Sequence, residues 1–234
     1  MPVDPLKPAF NAESKPVVTP PEAKQFFDAA QKNDMQTVLK FVMENPDAPK
    51  WKSAEGMTGL MYAAREGARE AAWILIKASP EVDEPNPNGS TALMFAAFTG
   101  KAVIAEMLLK AGADINHINT NGHTALMSAA AHDFKNTVTL LLKYGADVTP
   151  KDGDGLTALD YVRENGYTDI LQPLVDAGIK QAEDKRTAAE QAAAAAKKAA
   201  EEEEVPGTMI KRTNDDSTEK LRMLERNLVK AKLV

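Results

Sequence analysis

The chain has 234 residues, a formal net charge of −6 and a sequence pI near 5.2. That leaves room for one domain with flanking segments and argues against a general nucleic-acid binder, which would carry a basic stripe. There is no cysteine, so disulfides, thiolate catalysis and cysteine-ligated zinc are excluded. No apolar run reaches the roughly 18 residues that a membrane-spanning helix needs.

Residues 1–21 hold six of the fourteen prolines and read as an extended or disordered segment. They lack the basic start and apolar stretch of a signal peptide. The expectation is a soluble protein, cytoplasmic, or periplasmic if a leader has been removed.

From residue 22 the sequence repeats. Thr58, Thr91, Thr124 and Thr157 are spaced by 33, each two residues after a glycine and two before a leucine. Gly67, Gly100, Asp133 and Gly166 keep the interval, as do Gly112, Gly145 and Gly178. Each copy reads as a turn, a Thr that caps a short Ala-rich helix such as "TALMFAAF", and a stop at Gly100 or its equivalent. Asp133 is a tolerable substitute at that stop. A second helix follows, such as "AVIAEMLLKA" or "NTVTLLLKY", ending at Gly112 or Gly145, and "ADINHINTNG" or "ADVTPKDGDG" leads into the next copy.

The first copy, "AKQFFDAAQKNDMQTVLKFVMEN", lacks the Thr turn and has Asn33 where others have Gly. It suits a terminal unit with a polar outer face. The last, "GLTALDYVRENGYTDILQPLVDAG", is also altered. Five units are expected, about 22–53, 54–86, 87–119, 120–152 and 153–179, together forming one domain over 22–179. Residues 180–204 are rich in Ala, Glu and Lys and predict a solvated helix or linker. Residues 205–234 predict an amphipathic tail helix, a short coiled-coil-like stripe with Leu221, Leu224 and Leu228 available for docking.

"GSTALMFAAFTGKAVIAEMLLKAGADIN" and "GHTALMSAAAHDFKNTVTLLLKYGADVT" resemble ankyrin repeats. The family's T-P-L-H is here an Ala/Met variant of the kind found in bacterial members. Its proline is replaced by Gly59, Ala92, Ala125 or Ala158, and its histidine by Met61, Met94, Met127 or Asp160. The resemblance implies an all-α solenoid of helix-turn-helix units with a helical C-terminal extension. It also implies a concave face, lined by first helices and turns, that binds a protein. Mapped residue by residue, the partner-binding set is Met57, Tyr62, Arg65, Glu66, Ser90, Phe95, Phe98, Thr99, His123, His132, Leu156 and Glu164. Phe95 reads either as a groove residue or as packed against a neighbouring unit. Phe98 reads as an exposed hot spot or as packed against Tyr62 or the next unit.

Chemistry is not signalled. His117, His123 and His132 have no metal-ligand spacing, and no nucleophile elbow, phosphate loop or dinucleotide fingerprint occurs. Asp152 to Gly155 look like a scrap of a calcium loop, but the twelfth-position Glu is missing, so they read as a flexible turn. Neither cofactor nor metal is expected, and the protein is not expected to be an enzyme. The reading is a protein-binding module, monomeric or part of a hetero-complex. Its sharper form is an inhibitor or immunity protein capping a partner enzyme. The alternative is a structural tether whose C-terminal helix docks into a larger assembly.

Overall fold

The computed structural model describes residues 20–79 and 81–203. Among them are ten α-helices and no strand, with one isolated bridge between Lys52 and Thr58. The helices come in pairs: α1 (Ala23–Gln31) with α2 (Met35–Glu44), α3 (Gly59–Glu66) with α4 (Arg69–Ala78), α5 (Ala92–Phe98) with α6 (Ala102–Lys110), and α7 (Ala125–Ala131) with α8 (Lys135–Lys143). A fifth pair consists of α9 (Ala158–Asn165) and α10 (Leu171–Glu203), and a short 3-10 turn (Ala48–Lys50) follows α2. The first helices stack in an inner row, α1 on α3 on α5 on α7 on α9. The second helices form an outer row, α2 on α4 on α6 on α8. The protein is an all-α repeat solenoid with a C-terminal helix.

The threonine column does what its chemistry allows in three units of four. Thr58, Thr124 and Thr157 hydroxyls accept from the N–H groups of Met61, Met127 and Asp160 at 3.2–3.3 Å. Asp160 returns the favour, accepting from the Thr157 N–H at 2.9 Å, a complete capping box. Thr91 makes no such bond, and its hydroxyl is buried without a partner. Asn33 and Asp133, the two non-glycine residues in the stop column, take left-handed φ values of 59° and 57°. A short polar side chain carries that conformation at lower cost than most.

Packing explains the departures from the ankyrin pattern. Met61, Met94 and Met127 are fully buried, filling the space where the family has histidine. Gly59 takes the proline position because Phe26 from α1 lies against it; a Cβ there would stand 2.8 Å from the ring. Phe26 anchors an aromatic cluster with Phe27, Phe41 and Trp51 at centroid distances of 5.6–5.8 Å.

One expectation meets a different structure. The first unit does not present a polar outer face: Met35, Leu39 and Met43 of α2, one helical turn apart, are 48%, 44% and 74% exposed. Gly178, which shares the interval of the helix-ending Gly112 and Gly145, lies inside a helix. Its φ is not left-handed, and α10 runs through it from Leu171 to Glu203. Pro173 is tolerated because it sits in the first turn, where its N–H has no intrahelical acceptor. Ile170 and Leu174 are buried, and the Gln181 side chain bridges to unit four, donating to the Ala146 carbonyl at 2.7 Å and accepting from the Val148 N–H at 3.2 Å. The chain divides into two compact units, residues 1–184 and 185–234. In the second, residues 185–196 are helical and exposed, with an Arg186–Glu190 pair at 3.7 Å. The expected N-terminal segment lies outside the described residues up to residue 19, and the tail leucines Leu221, Leu224 and Leu228 lie outside them entirely.

Candidate functional site

The turn tips are built by one polar residue per unit. Asn86, Asn119 and Asp152 each accept, through one side-chain oxygen, from backbone N–H groups two and four residues on, at 2.8–3.0 Å. Ser53 supplies a single equivalent bond to the Met57 N–H. The turns then join unit to unit: the Thr120 N–H donates to the Asn88 carbonyl at 3.0 Å, and the Gly153 N–H to the Asn121 carbonyl at 2.8 Å. His117 Nε2 donates to the Gly89 carbonyl at 2.8 Å, a structural role. The stretch Asp152–Gly155 is accordingly a closed, bonded turn rather than a flexible one. The signal was present in the sequence: Ser53, Asn86, Asn119 and Asp152 each stand five residues before the repeat threonine.

Of the twelve mapped contact residues, three are removed from the surface. Phe95 is 4% exposed, Met57 6% and Ser90 0%. The reason is the sandwich geometry, since α5 has an inner-row neighbour on both flanks. Phe95 therefore packs in the core, and the Ser90 hydroxyl accepts from the Asn119 amide at 3.2 Å. Tyr62, Arg65, Phe98, Thr99, His123, His132 and Leu156 are half-buried, and Glu66 and Glu164 are exposed.

These residues form three local groups. Tyr62 packs against Phe27 (5.6 Å) and under the Arg65 guanidinium (5.1 Å), and its hydroxyl donates to Glu55 at 3.2 Å. Burial pushes the Tyr62 phenol up, while the Ser53 hydroxyl holds the Glu55 carboxyl below its usual range. Arg65 also pairs with Glu66 at 3.0 Å. In the middle, Phe98 stands edge-on to His132 (4.5 Å), which stacks on Phe134 (5.9 Å). His132 Nδ1 is tied to the Ser128 carbonyl at 2.9 Å, so the ladder is fixed from α7.

At the far end, Asp152 is enclosed. Tyr161 donates to its Oδ2 at 2.5 Å, and His123 Nε2 lies 3.6 Å from the same oxygen. Burial raises the Asp152 carboxyl, but the Tyr161 hydroxyl, the Leu156 and Asp154 amides and His123 together hold it below its ordinary value. Burial lowers His123, against the pull of Asp152 and Asp154, and its Nδ1 is buried without a partner. Burial and the Asp152 hydrogen bond raise Tyr161. No group of three or more metal-ligating side chains converges among the described residues.

Stacked helix pairs joined by bonded turns, with side chains from successive units aligned on one face, define a helical repeat solenoid. The family model described as ankyrin repeats (3 copies) matches residues 26–119 and 111–185, more than half of the chain. The chain belongs to the ankyrin repeat family, whose members are generally protein–protein interaction modules and typically non-catalytic. No curated protein matches it.

Proposed function

We propose that this chain is a non-catalytic binding module that holds a partner protein on its inner-helix and turn-tip face. The observation that supports this reading best is Phe98, a half-buried aromatic braced by His132 in the middle of that face. Arg65 and Glu66 lie on the preceding inner helix, and Leu156 and Glu164 on the last inner helix and the turn before it. An aromatic anchor with a charged rim is the arrangement that concentrates binding energy in protein interfaces. The contact set is Tyr62, Arg65, Glu66, Phe98, Thr99, His123, His132, Leu156 and Glu164; burial removes Met57, Ser90 and Phe95.

Affinity purification followed by mass spectrometry supplies the partner, and calorimetry on Phe98→Ala tests the face. The expected loss is about 2 kcal/mol or more, roughly thirtyfold in affinity. Unchanged affinity removes Phe98 from the interface. A much lower melting temperature makes it a packing residue.

The sharper form of the reading is inhibition of a partner enzyme, tested by adding the chain to the recovered partner and measuring its turnover. Deleting residues 205–234 separates the readings: partner binding is expected to be spared if the inner face is the site, and assembly through Leu221, Leu224 and Leu228 is expected to be abolished if the chain is a tether.

A further inference from the structure

The ring ladder on the inner face leaves one hydrogen-bonding atom unmet. His132 Nδ1 faces the Ser128 carbonyl at 2.9 Å. A carbonyl can only accept, so in the neutral ring Nδ1 carries the proton and Nε2 is a bare acceptor. Nε2 makes no hydrogen bond among the described residues, and it is not one of their buried unpartnered atoms, so it reaches solvent. Phe98 at 4.5 Å and Phe134 at 5.9 Å hold the imidazole in place. The face therefore presents a fixed acceptor beside a half-buried aromatic ring, and its complement is a donor from outside.

The neighbouring charges select the kind of donor. Asp133 follows His132 directly, and Asp154 and Glu164 belong to the turn and first helix of the next unit; all three are exposed. None of them forms an ion pair among the described residues. The cations of the same two units are engaged with other acids: Lys135 pairs with Asp169 at 3.1 Å, and Arg163 and Lys151 lie within Coulombic reach of Asp160. Because α9 stacks on α7, about 10 Å away, a cation placed at Nε2 sits in the field of Glu164 as well as Asp133. A basic side chain supplies both an N–H for Nε2 and the opposite charge. A hydroxyl supplies only the first, and a carboxylate is repelled.

The chain already makes such a contact within itself. Arg65 stands one repeat before Phe98; its guanidinium lies 5.1 Å from the Tyr62 ring centroid and pairs with Glu66 at 3.0 Å. Among the described residues no cation stands over Phe98. A planar guanidinium suits the vacant position, since it can lie on an aromatic ring while its edge donates.

We propose that the inner face receives an arginine side chain of its partner protein between Phe98 and His132, with the guanidinium donating to His132 Nε2 in the field of Asp133 and Glu164. This names the partner's chemistry and rests on the inner-face reading above. The test uses the full chain with nitrogen-15 in its three histidines, the His132 ring signals being assigned by His132→Asn. At pH 8 the His132 Nδ1 signal is expected to be that of a protonated nitrogen and Nε2 that of a bare one. Blocked triarginine peptide is expected to move the Nε2 signal saturably and leave His117, which is tied to the Gly89 carbonyl, in place. Phe98→Ala is expected to weaken that binding several-fold, and so is Asp133→Asn combined with Glu164→Gln, two exposed positions whose exchange leaves the helical circular dichroism unchanged. A proton on Nε2 instead of Nδ1 overturns the proposal. So does a His132 signal that ignores triarginine or answers equally to blocked triglutamate. Calorimetry with the purified partner separates the two readings: affinity lost in Phe98→Ala but kept in His132→Asn and in the double variant keeps the inner face and removes the arginine, whereas affinity kept in all three removes both.

Discussion

Asp152 is the residue whose removal discriminates most sharply. Its side chain is fully enclosed and accepts three hydrogen bonds, from the Asp154 and Leu156 N–H groups and the Tyr161 hydroxyl. Asp152→Ala leaves all three donors without that acceptor. At about 1 kcal/mol for each amide, partly re-solvated at the turn tip, and about 1.5 kcal/mol for the half-buried phenol, the loss is about 3–4 kcal/mol. Asp152→Asn keeps Oδ1 for both amides but puts an NH2 donor where Oδ2 accepted from Tyr161, so that bond survives only with the phenol oxygen as acceptor, and the expected loss is about 1–2 kcal/mol, below that of the Ala variant. The protein contains the control, because Asn86 and Asn119 close the two preceding turns with the same bonds. Repeat arrays can lose end units separately, so urea unfolding should be paired with hydrogen exchange resolved over units four and five. An Ala variant within about 1 kcal/mol of the parent, or an Asn variant as damaged as the Ala one, would refute the bonded-turn account.

The other expectations concern the same joints. Thr124→Ala should cost about 1 kcal/mol in thermal or urea unfolding, while Thr91→Val should be neutral or stabilising, since only the first removes a cap and the second removes an unpartnered buried hydroxyl. Gly122→Ala should destabilise more than Gly145→Ala. Both glycines have left-handed φ, 79° and 87°, and share a strain of about 1 kcal/mol, but only at Gly122 would a Cβ meet backbone, 2.8 Å from the Asp152 Cα. His123 titrates below its usual 6.5 because it is buried, so the unfolded chain binds its proton more readily. Stability is therefore expected to be full above pH 6.5 and to fall as the pH drops through that value toward the folded pKa. His123→Gln should flatten the slope in that window, and an unchanged slope would mean His123 is not the group responsible.

The repeat interval made the helix pairs, the caps and the stop residues legible, because each depends on local φ and one hydrogen bond. Asn33 and Asp133 were readable as stops for that reason. Gly178 shows that its column sets only a permission: glycine can end a helix but does not have to, and burial of Ile170 and Leu174 with the Gln181 bridge carries α10 onward. Phe95, Met57 and Ser90 show the limit on the candidate site. Their positions follow from the period, but their exposure depends on how closely a neighbouring unit approaches. Phe98, three residues beyond Phe95, is half-buried because it sits at the end of α5, where it packs against the core on one side and edge-on to His132 of the next unit.

The same geometry accounts for where the apolar surface went. The middle inner helices are flanked on both sides by short helices that approach closely, so even phenylalanine at position 95 is covered. Outer helices contact their row neighbours more sparingly, and their broader faces leave Met35, Leu39, Met43, Trp73 and Val103 open. The two faces therefore differ in kind. The inner one carries Tyr62 and Phe98, each braced by neighbouring side chains, among the charges of Arg65, Glu66 and Glu164. The outer one offers a groove that rewards burial with little charge selection beyond Arg69 and Glu70. A substitution at Phe98 and one at Trp73 should accordingly fail to compensate for each other in binding, since the two side chains project from opposite rows. Additive losses in the double variant, measured against the same partner, would show that it wraps both faces.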